Sequence, residues 1–315
     1  MKVFVTGASG FIGRALIAEL ISEGHSVRVL TRKHMRFGKG VEIVQGDLSS
    51  RNISFSSLVI GCNAVFNCAG EIRDVNKMRS LHVDGTGKLL QAFKESAAKE
   101  DVKKHWVQLS SVGAYGPVLK PGTPRIVTEG TPANPQGEYE VTKTLADELV
   151  MNMADRFFTY TILRPSNVVG ASMTNQSFAG LLRLIKKRLF FYIGSRESTA
   201  TYIHVDDVVA ALMLCLEHPQ AINQTFNVSN DCPLTDIVTR VAMAQKVSPD
   251  FWCFPEGILR GIAKVMAKIR RWPLTERRID ALISQTSYPN TKIEKLGFKA
   301  KVAIPGFAAE YSKLL

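Results

Sequence analysis

Lys2-Val3-Phe4-Val5-Thr6-Gly7-Ala8-Ser9-Gly10-Phe11-Ile12-Gly13 is the stretch on which the fold turns. A short apolar run, KVFV (2–5), leads into glycines spaced GxxGxxG, and a helical pattern begins directly at 11–23. Strand, glycine loop and helix in that order are the context a dinucleotide loop requires. Gly7 permits the tight turn, Gly10 lets backbone N–H groups approach a pyrophosphate at the positive end of the helix, and Gly13 allows close helix–strand packing. Further apolar runs rich in β-branched residues follow: SVRVL (26–30), VEIV (41–44), AVFN (64–67), HWVQLS (105–110) and YTILR (160–164). Helical patterns at 76–99 and 138–156 lie between them. Continuous apolar strands alternating with helices predict an α/β fold, a buried parallel sheet wound on both faces.

Such a sheet behind such a loop is Rossmann-type. The expected division is a dinucleotide-binding part over 1–165, to which 201–229 returns, and a smaller, mostly helical substrate-binding part from 166–200 and 230–315. Segment 112–137, rich in Gly and Pro, reads as a loop over the sheet, and 201–217 as a strand followed by an amphipathic helix. The 315 residues, 45% apolar and 22% charged, describe an ordinary globular protein. Cys62, Cys68, Cys215, Cys232 and Cys253 show no CxxC spacing, so neither a disulfide framework nor a metal site is expected. With no signal-peptide pattern and no long apolar run, a reducing, cytoplasmic setting is the expectation.

The second strand ends Leu30-Thr31-Arg32-Lys33, where NAD enzymes carry an acid for the adenine ribose. Thr31 followed by two cations suits a 2′-phosphate, which favours NADP over NAD. Tyr139-Glu-Val-Thr-Lys143 places a phenol and an ammonium at i and i+4 on one helical face. A phenol of pKa about 10 is a poor base at neutral pH. A neighbouring ammonium is expected to lower that value, so that the phenol exchanges a proton while hydride moves to or from nicotinamide. Leu109-Ser110-Ser111 closes a predicted strand, where a hydroxyl is placed to donate to a substrate oxygen.

Together these segments resemble the extended short-chain dehydrogenase/reductase family, also called the NAD-dependent epimerase/dehydratase family, over nearly the whole chain. TGASGFIG (6–13) is similar to its TGxxGxxG loop, SSVGAYG (110–116) to its serine segment and YEVTK (139–143) to its YxxxK motif. Arg164-Pro-Ser-Asn-Val-Val-Gly170 and Tyr202-Ile-His-Val-Asp-Asp-Val208 resemble two later family segments. The resemblance implies that Ser111, Tyr139 and Lys143 are catalytic. It implies a cofactor site of Gly7, Ser9, Gly10, Phe11, Ile12, Gly13, Thr31, Arg32, Asp47, Leu48, Cys68, Ala69, Gly70, Tyr139, Lys143, Pro165 and Ser166. Substrate contacts fall to Ser111, Asn167 and Tyr202.

Two residues depart from the family pattern. His82 stands where an asparagine usually steadies the active-site backbone, and Ala200 where many sugar-nucleotide epimerases carry a diphosphate-binding arginine. Arg196 or Arg278 is the expected replacement for the latter. The segments Gln224–Asn230 and Lys292–Phe298 resemble sugar-nucleotide epimerases and 4-keto-sugar reductases. An activated sugar, nucleotide- or lipid-linked, is therefore the expected substrate, and epimerase and keto-reductase both stay open. A reductase of a hydrophobic ketone or alcohol, of the hydroxysteroid or dihydroflavonol type, is the alternative. A non-catalytic cofactor sensor is a further one, against which the intact Ser111, Tyr139 and Lys143 stand. A homodimer is compatible with the family.

The net charge is +12, and residues 256–315 hold twelve Lys/Arg against five Asp/Glu. No nucleic-acid motif accompanies this charge, so nucleic acid is not an expected partner. In EGILRGIAKVMAKIRRW (256–272), Ile258, Ile262, Val265, Met266 and Ile269 share a helical face, with Arg260, Lys264, Lys268 and Arg271 around it and Trp272 at the end. Such a helix either packs its apolar face on the core or rests peripherally on an anionic bilayer, here the inner membrane face. Both readings stay open.

Overall fold

Val3, Phe4 and Val5 are fully buried because the strand they form, β1 (Lys2–Thr6), lies inside a parallel sheet. The computed structural model describes all residues except 33, 51, 119, 174–175 and 267–274. Lys33, and Lys268, Ile269, Arg271 and Trp272 of the basic segment, thus lie outside the described residues. After β1 the chain runs through α1 (Phe11–Ser22), β2 (Ser26–Thr31), β3 (Val41–Gln45), α2 (Phe55–Val59) and β4 (Ala64–Asn67). Then come α3 (Val75–Arg79), α4 (Thr86–Glu100), β5 (Lys104–Leu109), β6 (Pro124–Ile126), α5 (Glu138–Asn152) and β7 (Phe158–Pro165). Next are β8 (Asn167–Val169), α6 (Gln176–Lys186), β9 (Tyr192–Ile193), β10 (Thr199–Ala200), β11 (Tyr202–His204), α7 (Val205–Glu217) and β12 (Gln224–Val228). The chain closes with β13 (Cys232–Pro233), α8 (Leu234–Ala244), β14 (Cys253–Phe254), α9 (Glu256–Met266), α10 (Glu276–Leu282), β15 (Gln285–Ser287), α11 (Thr291–Glu294) and α12 (Ile304–Lys313).

The main sheet has seven parallel strands in the order β12-β7-β5-β4-β1-β2-β3. Strand order reverses between β1 and β4, and in doubly wound sheets a ligand crevice opens at that point, beyond the carboxyl ends of the strands. Leu16, Ile17 and Leu20 of α1 pack with Val208, Leu212 and Cys215 of α7 on one face of the sheet. Leu58, Leu89, Phe93 and Val150 from α2, α4 and α5 cover the other, where Phe93 meets Phe158 edge to face and Trp106 packs tilted against both. The fold class read from the alternation is the one observed.

Three local readings need correction. VEIV is not a buried strand: β3 is the sheet edge, and Glu42 and Ile43 face solvent. Glu42 is there to pair with the buried Arg28, Nε to Oε1 at 2.8 Å. The single helix expected over 76–99 contains a π-helical turn, Ser80–Gly85, between α3 and α4. Such wider turns are frequent at functional sites, and His82 within this one is buried. The loop 112–137 contains β6, which pairs in parallel with β15 and so ties the loop to the C-terminal part. There, α6, α8 and α12 surround one core, while Ile193, Leu259, Ala263, Ile279 and Ile283 form another.

At the head of the sheet, Gly7 has φ +69°, and a Cβ on it would lie 2.5 Å from the Cys68 carbonyl oxygen. A Cβ on Gly13 would lie 2.2 Å from the Gly7 carbonyl oxygen. The contacts are backbone, so no rotamer change relieves them. We expect Gly13→Val to lose about 1–3 kcal/mol of stability and to weaken nicotinamide-cofactor binding. Urea denaturation and cofactor titration check this; unchanged values for both would mean the loop does not need the close approach.

Candidate active site

The crevice side of β1 and β4 is locked by hydroxyl and amide groups. Thr6 Oγ1 donates to Asn67 Oδ1 at 2.6 Å and accepts from the Ala69 N–H, and Asn67 Nδ2 donates to Thr86 and Gln108. The turn at Gly7 closes with Gly10 N donating to the Gly7 carbonyl, and Gly10 then caps α1. No side chain caps α1 and no acid occupies its first turn. Its first amides and the positive end of its dipole therefore suit an anion such as a pyrophosphate. Phe11 anchors this end: its ring lies where a Cβ on Gly170 would come within 2.8 Å.

Thr31 is buried at the end of β2, and Arg32 beyond it reaches Asp47 at 3.7 Å. Two residues expected at the cofactor site thus face each other. Asp47 also accepts from the Ser49 amide and hydroxyl, and Leu48 is buried under it. Cys68 follows Asn67 toward the crevice, and burial pushes its thiol up to about 12. These residues, with Gly70, Pro165 and Ser166 at the ends of β4 and β7, fit a dinucleotide laid across the strand reversal.

Tyr139 and Lys143 come from successive turns of α5. Lys143 is buried, and its ammonium donates to the Leu109 carbonyl at the end of β5. Burial lowers its pKa and Asp147, one turn further along α5, raises it. The expected depression of the Tyr139 phenol is not found. Burial pushes it up to about 12, and Asp147 and Glu140 add to the rise. The ammonium makes its hydrogen bond to a backbone carbonyl, and burial dominates the phenol.

Asp147 was not anticipated from the sequence, although it continues the face of Tyr139 and Lys143 at i+8 and i+4. It is fully buried, accepts from Ser110 Oγ at 2.7 Å and from Arg164 Nη2 at 3.0 Å, and its other oxygen has no partner among the described residues. Burial raises its pKa against the pull of the Arg164 guanidinium. Arg164 also lies over the Tyr115 ring at 5.0 Å, and the Tyr115 hydroxyl donates to Asn227 at 2.8 Å.

His82 is 2% exposed. Its Nε2 accepts from the Glu71 N–H at 2.8 Å, so that nitrogen carries no proton, and Nδ1 donates to Thr142 Oγ1 at 2.8 Å. The ring meets the Tyr139 ring edge to face at 5.7 Å. His82 thus joins the strand-end loop to the helix carrying Tyr139. Its contacts with residues 11 and 60 positions away have no local signature in the sequence.

A cavity of about 650 Å³ opens at this point, lined by Ser111, Tyr139, Ser166, Asn167, Tyr288 and Arg277, among others. Ser111 Oγ accepts from the Gly113 N–H at 3.1 Å. Ser111, Tyr139 and Asn167 therefore meet at one space. Tyr202 does not line it: its ring packs on Phe178 at 4.8 Å, in the core of the C-terminal part. Nor do the two arginines expected to replace the one absent at position 200. Arg196 donates to the Phe251 carbonyl and lies over Tyr192, and Arg277 rather than Arg278 reaches the cavity.

The family model described as NAD dependent epimerase/dehydratase matches residues 3–229. A UDP-glucose 4-epimerase of Vibrio cholerae is 24% identical over 271 residues, covering 80% of each chain. A 4-hydroxy-2-methyl-3-oxo-4-farnesyl-3,4-dihydroquinoline-1-oxide ketoreductase of Stigmatella aurantiaca is 26% identical over 296 residues, covering 90% of this chain and 84% of that one. Among solved structures, UDP-glucuronic acid 4-epimerase from Bacillus cereus in complex with NAD aligns with a TM-score of 0.74 at 18% identity, over 99% of this chain and 97% of the other. That likeness shows the fold.

Burial lowers the His82 pKa from 6.5 to about 3, with Lys143 adding to the effect. The unfolded chain then binds this proton first as pH falls, so stability is lost below 6.5. Between pH 7 and pH 5 the loss from this group is about 2 kcal/mol. We expect His82→Asn to show an acid-limb slope shallower by that amount in urea titrations at the two pH values. Parallel wild-type and variant limbs would show that His82 is not held neutral.

Proposed function

We propose that this chain, which belongs to the NAD dependent epimerase/dehydratase family, interconverts a hydroxyl and a ketone on an activated sugar, as an epimerase or keto-reductase. The observation that carries the reading is the cavity where Ser111 and Tyr139 share one space with Arg277 at its rim. A cation at that place suits the diphosphate of an activated sugar. Arg277 reaches Glu140 at 3.6 Å and is otherwise 87% exposed, so an incoming anion has access to it.

The residues of the glycine loop, Thr31, Arg32 and Asp47 are assigned to the dinucleotide, which supplies hydride exchange when bound. Tyr139 is assigned the proton at the reacting oxygen. Held at about 12, its phenol is protonated at neutral pH and is ready to donate to a carbonyl. For the reverse direction the phenol must give up that proton, which Lys143 assists by turning its ammonium from the Leu109 carbonyl toward Oη. The Ser111 hydroxyl is assigned the second hydrogen bond to the same oxygen. Arg32 supports acceptance of NADP, although its approach to Asp47 leaves room for NAD as well.

The test pairs turnover with cofactor accounting. Purified protein is given UDP-hexoses with NAD or NADPH, and products are followed by NMR and at 340 nm. Turnover without net absorbance change, with NAD released on denaturation, identifies an epimerase; stoichiometric NADPH loss identifies a reductase. Tyr139→Phe should lower turnover by at least about 100-fold while cofactor affinity holds. Arg277→Gln should raise KM about tenfold with kcat little changed. Near-normal turnover in Tyr139→Phe overturns the catalytic assignment. An unchanged KM in Arg277→Gln, with turnover of uncharged hydrophobic ketones, moves the substrate class to apolar carbonyl compounds.

A further inference from the structure

One surface of the C-terminal part is both apolar and strongly basic, and the proposed reaction uses none of it. The end of α6 and the turn after it read Arg183-Leu184-Ile185-Lys186-Lys187-Arg188-Leu189. Ile185 is buried in the core between α6, α8 and α12, while Arg183, Lys186, Lys187 and Arg188 face solvent, with exposed Leu184 and Leu189 among them. Among the described residues, no ion pair joins these four cations to a carboxylate.

From Leu189 the chain enters β9, where Tyr192 pairs with Cys253 of β14. Trp252, one residue before that pair, is 80% exposed, and Phe254, one residue after it, is exposed as well. Two residues on, α9 begins. Its Leu259 and Ala263 are buried against Ile193, Ile279 and Ile283. The face expected from the sequence to be either covered or membrane-bound is open: Ile258, Ile262 and Val265 are exposed, the last at 76%. They flank a shallow apolar trough floored by Gly257 and Gly261.

The cations of α9 are not the ones that give this surface its charge. Arg260 is held by Glu256 and by Asp280, each at 2.7 Å, and Lys264 leans toward Glu276 at 3.9 Å. The unneutralised charge comes from the end of α6, which leads into β9 as β14 leads into α9; the two strands pair in parallel, with the Phe191 and Phe254 rings 5.1 Å apart.

A partner for this surface must be anionic and apolar together. A second copy would answer the aliphatic side chains, but each chain carries a net charge of +12, so it would meet the basic cluster with like charge overall. A nucleic acid would answer the cations and leave the aliphatic side chains of α9 uncovered. An anionic bilayer answers both: lipid phosphates meet the α6 cations, and the interface accepts a tryptophan and aliphatic side chains a few ångströms deep. We propose that the surface formed by the end of α6, Trp252 and α9 docks the protein on an anionic phospholipid bilayer. Asp280, which holds Arg260 of α9, lies on α10 and lines the cavity beside Arg277, so the docked surface is one helix away from the substrate entrance.

Vesicle binding needs neither cofactor nor substrate, so the outcome is independent of the assigned reaction. The full chain is floated with vesicles of phosphatidylcholine alone and of equimolar phosphatidylcholine and phosphatidylglycerol, across ionic strength. We expect partition onto the mixed vesicles only, falling with salt. Arg183→Gln/Lys186→Gln/Lys187→Gln/Arg188→Gln should reduce partition by at least about 100-fold, and Trp252→Ala/Val265→Ser by about tenfold. Unchanged thermal midpoints would show that these variants fold. The proposal is overturned by wild-type protein that ignores anionic vesicles at low salt, by equal partition onto phosphatidylcholine alone, or by an undiminished quadruple variant. A dimer dissolved by Trp252→Ala/Val265→Ser without any vesicle binding would assign the surface to a second copy instead.

Discussion

One buried carboxylate sets the relation of three elements that meet at the site. Asp147 projects from α5 into the sheet, where it accepts from Arg164 of β7 and from Ser110 at the end of β5. Removing one partner of such a pair leaves an uncompensated charge in the interior, at a cost of about 3–5 kcal/mol. Each partner adjoins a residue of the crevice. Ser110 precedes Ser111, Arg164 precedes Pro165 and Ser166, and Asp147 follows Lys143 by one turn. Holding the carboxylate therefore holds the serine segment, the end of β7 and the Tyr139–Lys143 helix in one register. The Lys143 ammonium, donated to the Leu109 carbonyl, pins the same helix to the same strand end.

The opposite wall of the crevice is organised without charge. Thr6, Asn67, Thr86 and Gln108 satisfy one another, and the backbone of Gly7 approaches the Cys68 carbonyl more closely than a side chain allows. His82 bridges the two walls through neutral hydrogen bonds, one to the Glu71 amide and one to Thr142 on α5. Burial, and after it the Lys143 ammonium, keeps the ring neutral, the form that accepts from the Glu71 N–H. The glycine turn before α1 and the end of α5 that carries Tyr139 thus stand on differently built supports.

Much of this was legible in the sequence because it is local. The spacing of Gly7, Gly10 and Gly13 announces the tight turn at the head of the sheet, and the helical repeat announces that Tyr139 and Lys143 share one face of α5. Asp147 obeys the same repeat and was open to the same reasoning: an acid amid the buried positions Thr144, Ala146 and Val150 asks for a partner. Other features depend on contacts that no local pattern carries. Arg277 reaches the cavity only because α10 packs beside it, while Arg196, equally cationic, is used by the Phe251 carbonyl and Tyr192. The phenol of Tyr139 was expected to feel Lys143, yet spacing along a helix does not say which group an ammonium will solvate. The strand at 41–45 looked like its buried neighbours because edge position is a property of sheet order. The spacing of Ile258, Ile262 and Val265 announces a helical face, whereas the link from α9 to the basic end of α6 runs through the pairing of β9 with β14, which no local pattern carries.

We propose that the strand reversal between β1 and β4 brings a dinucleotide from the α1 terminus to Tyr139. A crystal structure of the protein with NAD tests it most directly. The pyrophosphate is expected on the first amides of α1 between Gly7 and Gly13, the nicotinamide between Ser166 and Tyr139, and the Lys143 ammonium withdrawn from the Leu109 carbonyl. A dinucleotide bound away from the glycine loop, or a nicotinamide beyond reach of the Tyr139 hydroxyl, would contradict it.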